Sequence, residues 1–179
     1  IFSKLVIDDN MKLENIPIWE FLKIITFGEL VKFYEYFLNE YNFFYLVNDI
    51  YILRDIVRLR NAVAHNDNIL TNLGIKDNNY NPNKYVIDFL DKSGIGKEKR
   101  KNKLQNSRIR QITYVLYMFN ELVTSDGVRE SVTKKINYFF FNRVIKHREY
   151  YSNNNLLISV YNYFKQIIDT HYKVLQENT

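Results

Sequence analysis

The chain has 179 residues, of which 46% are hydrophobic and 25% are charged, a balance typical of a globular protein that buries a sizeable core. It contains no cysteine, so disulfide scaffolds and cysteine-ligated metal sites are excluded, and a cytoplasmic location is expected. The formal net charge of +5 allows, without demanding, a polyanionic partner, and the lack of a long apolar run argues against a membrane-spanning helix.

Helical periodicity recurs along most of the chain and no series of strands is indicated, so we predict an all-α fold with one domain over residues 1–179. Because the sequence begins with Ile rather than Met, a longer chain that continues before residue 1 is left open. The first helix is predicted in "NIPIWEFLKII", with a cap at Asn15 and with Pro17 in its first turn. Its buried face is expected to comprise Ile18, Phe21, Leu22 and Ile25.

A second helix is predicted to begin at "TFGE", where Thr26 and Glu29 have the spacing of a capping box. Its inward-facing residues are expected to be Leu30, Val31, Tyr34, Phe37, Leu38 and Tyr41. A third helix is predicted from about residue 48 to residue 65. The next stretch, "NDNILTNLGIKDNNYNPNKY", is rich in Asn, Asp and Gly and therefore predicts a long surface loop.

Four further helices are predicted at roughly 84–92, 104–123, 127–149 and 155–176. The run "KEKRKNK" precedes the second of these and, with Arg108, makes this part of the chain strongly basic. Such a run is either a solvated helix face or a surface that contacts phosphates. His147 and His171 are expected at the surface or at an interface.

The stretch "RLRNAVAH", near the end of the third helix, places unusual polar residues on an apolar pattern. The apolar stripe of this helix comprises Leu53, Ile56, Val57 and Ala64. At about 100° per residue, Arg60 falls on the same stripe. We therefore expect its guanidinium to face either the core or the surface of a partner, with a carboxylate, a phosphate or several carbonyls around it. Asn61 and His65, four residues apart, share a second face at the edge of the stripe.

An arginine, an asparagine and a histidine in this arrangement suit RNA cleavage without a metal ion. Histidine titrates in the range needed to take the proton from a ribose 2′-hydroxyl, and a guanidinium binds and stabilises the pentacovalent phosphorane. The alternative is structural: His65 would be a favourable cation at a helix C-terminus, and Arg60 would be an ion-pair partner. The spacing alone leaves both interpretations open.

Two segments resemble known proteins. "RNAVAH" resembles the R-x4-H signature of the HEPN superfamily. Upstream, "IPIWEFLKIITFGELVKFY" is similar to the Pro-x-Trp and Thr-Phe-Gly segment of the Abi-like (AbiD/AbiF, Abi_2) abortive-infection proteins, and "LRDIVRLRNAVAHNDNIL" follows at a similar distance. The two segments span residues 15–70, and their order is more specific than the six-residue motif alone.

The resemblance implies an all-helical HEPN-like bundle with additional C-terminal helices and a role in phage defence or as a toxin. It also implies that two signature helices, from a homodimer or from two domains of one chain, build a shared RNA-cleaving cleft. Arg60 would bind the scissile phosphate, His65 would act as acid and base or orient the 2′-hydroxyl, and Asn61 would hold the pair in place. The family's acidic position falls where Lys23 stands, so Glu20, one turn earlier, is the candidate orienting acid.

The remaining predictions concern partners. RNA is the expected substrate, an antitoxin protein or a structured RNA is a candidate regulator, and neither a metal ion nor a cofactor is expected. The residues expected to contact the RNA are basic: Arg54, Arg58, Lys97, Arg100, Lys101, Lys103 and Arg108. The alternative function is a non-catalytic helical module that binds RNA or protein and uses the Arg60 helix for dimerisation.

Overall fold

The computed structural model describes residues 17–43, 47–78 and 80–173, so the expected cap at Asn15 lies outside the described residues. The described residues form helices joined by turns and contain no strand, which confirms the predicted all-α fold. The α-helices are α1 (Ile18–Ile24), α2 (Phe27–Glu40), α3 (Val47–Ala64), α4 (Lys84–Lys92), α5 (Lys97–Leu104), α6 (Ser107–Leu122), α7 (Asp126–Tyr138) and α8 (Asn155–His171). None of these helices combines the length and the apolar composition that crossing a bilayer requires.

The helices belong to two compact units, residues 1–58 and 59–179, and the division falls within α3. The first unit therefore holds α1, α2 and most of α3, whereas the second holds the end of α3 and the helices that follow. The presence of one domain over residues 1–179 stays a prediction.

In the first unit, α2 begins as predicted. The hydroxyl of Thr26 accepts a hydrogen bond from the backbone N–H of Glu29 at 3.3 Å, and the Glu29 carboxylate accepts one from the backbone N–H of Thr26 at 2.7 Å. This capping box satisfies two donors that a helix start otherwise leaves unpaired. Pro17 occupies the cap position of α1 rather than its first turn.

Fewer residues of α1 and α2 are buried than their apolar patterns predict. Val31 and Leu38 of α2 are buried, and Phe21 of α1 contacts Phe33 with the ring centroids 5.3 Å apart. Four residues expected on the inner faces are exposed instead: Ile18, Leu22, Phe37 and Tyr41. A helical wheel gives the direction of a face, but the amount of that face that is covered depends on neighbouring elements, and α1 is only two turns long.

In the second unit, α6 is the central helix and packs against α4, α5 and α8. Thr113 of α6 and Tyr163 of α8 are both fully buried, and their hydroxyl oxygens are 3.0 Å apart. Burial raises the pKa of Tyr163 above its ordinary range. The two hydroxyls therefore form a neutral hydrogen bond inside the core, where an unpaired polar group would cost stability.

The basic run at 97–103 forms a helix of its own, α5, for which the sequence predicted no bounds. Leu104 is the one apolar residue of α5, so the run shows no periodicity that would reveal a helix. The helix predicted from residue 104 begins at Ser107, because Asn106 caps it by accepting a hydrogen bond from the N–H of Ile109 at 3.1 Å.

The C-terminal helices also end earlier than predicted. The helix expected over 127–149 is α-helical only to Tyr138 and continues as a π-helical segment, Phe139–Val144, with a 3-10 turn at Arg148–Tyr150. The helix expected over 155–176 ends at His171, and residues 174–176 lie outside the described residues.

His171, expected at the surface or at an interface, does not lie on the open surface of its unit. It is half-buried, its ring stacks on Phe89 with the centroids 4.1 Å apart, and its Nε2 is 3.1 Å from the Phe89 carbonyl oxygen. Burial, the largest effect, lowers the pKa of His171. His147 is exposed, as expected.

Candidate functional site

The end of α3 is fixed by a Schellman motif, and this sets the position of His65. Asn66 has a φ of 57°, in the left-handed region that asparagine tolerates better than most residues. Its N–H donates to the carbonyl of Val63 at 3.1 Å, and the N–H of Asp67 donates to the carbonyl of Ala62 at 2.9 Å. His65 therefore occupies the C-cap position directly after Ala64, where the chain turns into the loop.

The candidate catalytic side chains, Arg60, Asn61 and His65, are all exposed. The buried face of α3 comprises Ile52, Asp55, Leu59 and Ala62. At about 100° per residue, each of the three candidate residues lies roughly a quarter turn or more away from that face. The alternative that Arg60 faces the core is wrong, because α3 has apolar residues on two adjoining sides and the buried one is not the stripe that includes Arg60. That Arg60 faces a partner stays a prediction.

Asn61 connects the other two members of the site. Its side-chain oxygen accepts a hydrogen bond from Nη1 of Arg60 at 3.1 Å, and its backbone carbonyl accepts one from the N–H of His65 at 2.9 Å. The amide oxygen can thus orient the guanidinium, while the backbone bond holds the histidine in the last turn. This arrangement presents a cation and an imidazole on neighbouring turns of one exposed helix end.

Arg60 differs in its partner from the other two arginines of α3. Arg54 forms an ion pair with Glu35 of α2, and Arg58 pairs with Asp55, one turn earlier, at 2.8 Å. Within the described residues of its own unit, Arg60 bonds to a neutral group, the side-chain amide of Asn61. A phosphate that binds Arg60 does not have to displace a carboxylate from the guanidinium. Arg60 is therefore the arginine of α3 best suited to bind a phosphate.

Residues 3–71 match the family model described as "Abi-like protein". The matched segment includes all three candidate residues and the whole of α1, α2 and α3. This part of the chain is therefore similar to Abi-like proteins. No curated protein and no solved structure matches the chain.

The candidate orienting acid, Glu20, lies in α1 within the matched segment. Its carboxylate forms an ion pair with Nζ of Lys23 at 2.7 Å, and the side chain of Lys23 is exposed whereas that of Glu20 is half-buried. The two residues considered for the acidic position thus contact each other, since residues three apart are neighbours on a helix surface. The assignment of Glu20 to Arg60 stays a prediction.

The residues expected to contact RNA differ in their surroundings. Lys97 and Lys101 are exposed on α5. Arg100 is half-buried, forms an ion pair with Asp91 and donates to the carbonyl of Ile95 at 2.9 Å. Arg100 is thus held within the chain, whereas the two exposed lysines are accessible to a backbone phosphate.

Two further members of that set also have partners inside the second unit. Nη1 of Arg108 donates to the side-chain oxygen of Gln111 at 2.9 Å. Lys103 is buried, and its ammonium donates to the hydroxyl of Ser159 at 2.8 Å. Contact with RNA through any residue of the set remains a prediction.

Two cavities of the second unit were not anticipated from the sequence. One, of about 470 Å³, is lined almost wholly by apolar side chains, among them Leu73, Phe140 and Phe164. The other, of about 440 Å³, is lined by Lys76, Lys99 and Lys103 together with polar residues. Lys99 and Lys103 are four residues apart on α5, a spacing at which like charges destabilise a helix. This spacing is the signal in the sequence that could have pointed to the second cavity.

A metal site is not indicated by the described side chains. Over residues 17–43, 47–78 and 80–173, no three histidine or carboxylate side chains come together as metal ligands would.

Proposed function

We propose that this chain is a metal-independent endoribonuclease of the HEPN type that acts in abortive infection or as a toxin. The observation that carries the proposal is the exposed end of α3, where Arg60 is bonded to the neutral amide of Asn61 and His65 is one turn away. The match of residues 3–71 to Abi-like protein supports it, because the matched segment contains all three residues.

In the proposed reaction, Arg60 binds the non-bridging oxygens of the scissile phosphate and His65 takes the proton of the adjacent 2′-hydroxyl. The 2′-oxygen forms a bond to phosphorus while the bond from phosphorus to the 5′-oxygen breaks, and the 5′-oxygen leaves with a proton. The products are a 2′,3′-cyclic phosphate and a 5′-hydroxyl. DNA has no 2′-hydroxyl and is not a substrate.

We propose that the active form is a homodimer in which two α3 ends face one cleft. Each chain contributes one histidine to this site, whereas the reaction takes a proton from one oxygen and gives a proton to another. A second copy related by a two-fold axis would supply the second histidine, and the same patch would serve both chains. An exposed helix end leaves this surface open for such a contact.

Cleavage of a mixed pool of labelled tRNA and messenger RNA in EDTA tests the proposal. The unmodified protein is expected to cut the pool and to leave 2′,3′-cyclic phosphate ends, and a DNA pool is expected to stay intact. Arg60→Ala and His65→Ala are each expected to lower the rate at least about a hundredfold, as removal of a general base or a phosphate ligand does.

Two matched variants control for the loss of a cation or an imidazole elsewhere. Arg143→Ala and His147→Ala change exposed residues of the same types outside the site and are expected to cut at the unmodified rate. Equal rates in all the purified variants would refute the site assignment and point to a contaminating nuclease. RNA that is bound but never cut would favour the non-catalytic binding module.

A further inference from the structure

The second unit contains an open cavity of about 440 Å³ into which three lysines converge. Lys99 and Lys103 belong to α5, and Lys76 belongs to the loop that precedes α4. The cavity shares no lining residue with the candidate catalytic site, since none of Arg60, Asn61 and His65 lines it.

The partners of the three ammonium groups are neutral. Nζ of Lys76 donates to the side-chain oxygen of Asn102 at 2.9 Å, and Nζ of Lys99 donates to that of Gln166 at 2.6 Å. Nζ of Lys103 donates to the hydroxyl of Ser159 at 2.8 Å. Among residues 59–78 and 80–173, no carboxylate lies within ion-pair distance of these three lysines. The positive charge of the cavity is therefore not neutralised by the described part of its own unit.

Two carboxylates of this unit form pairs with arginines instead. Asp91 forms an ion pair with Arg100, and Asp77 lies 3.7 Å from Nη1 of Arg110. Arginines thus pair with these two carboxylates, whereas the three lysines have amide and hydroxyl partners. Such a division leaves a positively charged cavity able to accept an anion.

Of the three lysines, Lys103 is the one whose charged form is most destabilised by its surroundings. Its residue is 8% exposed, and burial, followed by repulsion from Lys99, lowers its pKa. Both effects disfavour the charged form. An anion bound between the lysines would offset both, because it would replace lost hydration and screen the like charges.

The cavity is also held in shape by the junction of α5 and α6. The side-chain N–H groups of Asn106 donate to the backbone carbonyls of Asn72 and Ile75, both at 2.9 Å. The N–H of Asp77 donates to the carbonyl of Gln105 at 2.8 Å. These bonds fix the loop on both sides of Lys76, so this lysine is positioned before any ligand arrives.

We propose that this cavity binds a small phosphorylated molecule, a phosphomonoester such as a mononucleotide, with its phosphate held by Lys76, Lys99 and Lys103. Three ammonium donors match the charge and the several acceptor oxygens of a phosphate better than those of a carboxylate. The volume lies in the range of small-molecule sites. Leu73, Ile109 and Leu156 line the remainder of the cavity and provide an apolar surface for the rest of the ligand.

Isothermal titration calorimetry of the full chain tests the proposal with inorganic phosphate, pyrophosphate and 5′-AMP at constant ionic strength. Saturable binding of pyrophosphate and 5′-AMP is expected, and adenosine, which has no phosphate, is expected not to bind. Lys76→Gln and Lys103→Met should each weaken binding at least about tenfold, the effect of losing a hydrogen bond to a charged group. His65→Ala should bind as the unmodified protein does.

Lys101→Gln is the matched control, because Lys101 is an exposed lysine of the same helix that does not line the cavity. It should bind 5′-AMP with the unmodified affinity. Equal weakening by Lys101→Gln would overturn the proposal in favour of diffuse attraction between charges. An absence of saturable binding by pyrophosphate and 5′-AMP would overturn it as well, and lysine-dependent binding of single-stranded RNA alone would identify the cavity as an RNA contact. Lys76→Gln changes a loop residue, so it gives an answer even if Lys103→Met fails to fold.

Discussion

Replacement of Asn106 is the sharpest test of how the second unit is held together. Asn106 is 3% exposed and makes three hydrogen bonds: its oxygen accepts from Ile109 N–H, and its nitrogen donates to the carbonyls of Asn72 and Ile75. One side chain thus caps α6 and ties down the loop that follows α3. Asn106→Ala removes both functions.

The expected loss of stability follows from these bonds. Loss of a helix cap costs about 1 kcal/mol, and each of the two carbonyl bonds contributes roughly 1 kcal/mol. Asn106→Ala should therefore lower the free energy of unfolding by about 3 kcal/mol. Asn154→Ala is the matched control, because Asn154 is an exposed cap of α8 that accepts from Leu156 and Leu157 and holds no loop. It should cost only about 1 kcal/mol.

Urea unfolding followed by circular dichroism measures both values. Asn106→Ser separates the two functions, because a serine hydroxyl can cap the helix but cannot reach both carbonyls. It should cost about 2 kcal/mol, between the two alanine variants. Equal losses in Asn106→Ala and Asn154→Ala would refute the reasoning, since they would show that the two loop bonds contribute no stability.

Two further predictions concern His171 and Asn66. Because burial lowers the pKa of His171, the unfolded chain binds more protons there than the folded chain, so stability is full above about pH 6.5 and is lost as the pH falls through the folded value. Urea midpoints measured between about pH 8 and about pH 5 should fall less for His171→Phe than for His147→Phe, which changes an exposed histidine; parallel falls would contradict this. At Asn66, where φ is positive, Asn66→Val should lower the free energy of unfolding by about 1–2 kcal/mol relative to Asn66→Gly. Equal stabilities of the two Asn66 variants would show that the helix end does not depend on this conformation.

Local chemistry made part of the fold predictable. The capping box of Thr26 and Glu29 forms between residues three apart, so the sequence contains both partners. The bounds of α5 were not predicted because its residues are nearly all charged, and its burial of Leu104 depends on contact with α6. The buried side of α3 was misjudged for a related reason, since two apolar sides on one helix differ only in which neighbour covers them.

The two candidate sites also differ in how readily the sequence alone reveals them. Arg60, Asn61 and His65 lie within six residues at one helix end, so sequence spacing alone brings them together. The lysine cavity combines the loop at Lys76, three residues of α5 and Ser159 of α8, and only the tertiary fold reveals that they line one space. Sequence patterns find sites on a single element far more readily than sites assembled from several.

The loop that leaves α3 connects these two sites along the chain. It begins at the Schellman turn after His65, and its later residues, Asn72 and Ile75, are held by Asn106 next to the cavity that Lys76 lines. Asn106→Ser therefore perturbs the loop without changing a residue of the trio at the end of α3. Loss of 5′-AMP binding with unchanged RNA cleavage would show that the sites work separately. Loss of both, in a variant that circular dichroism shows to be folded, would show that the geometry of His65 depends on how this loop is held.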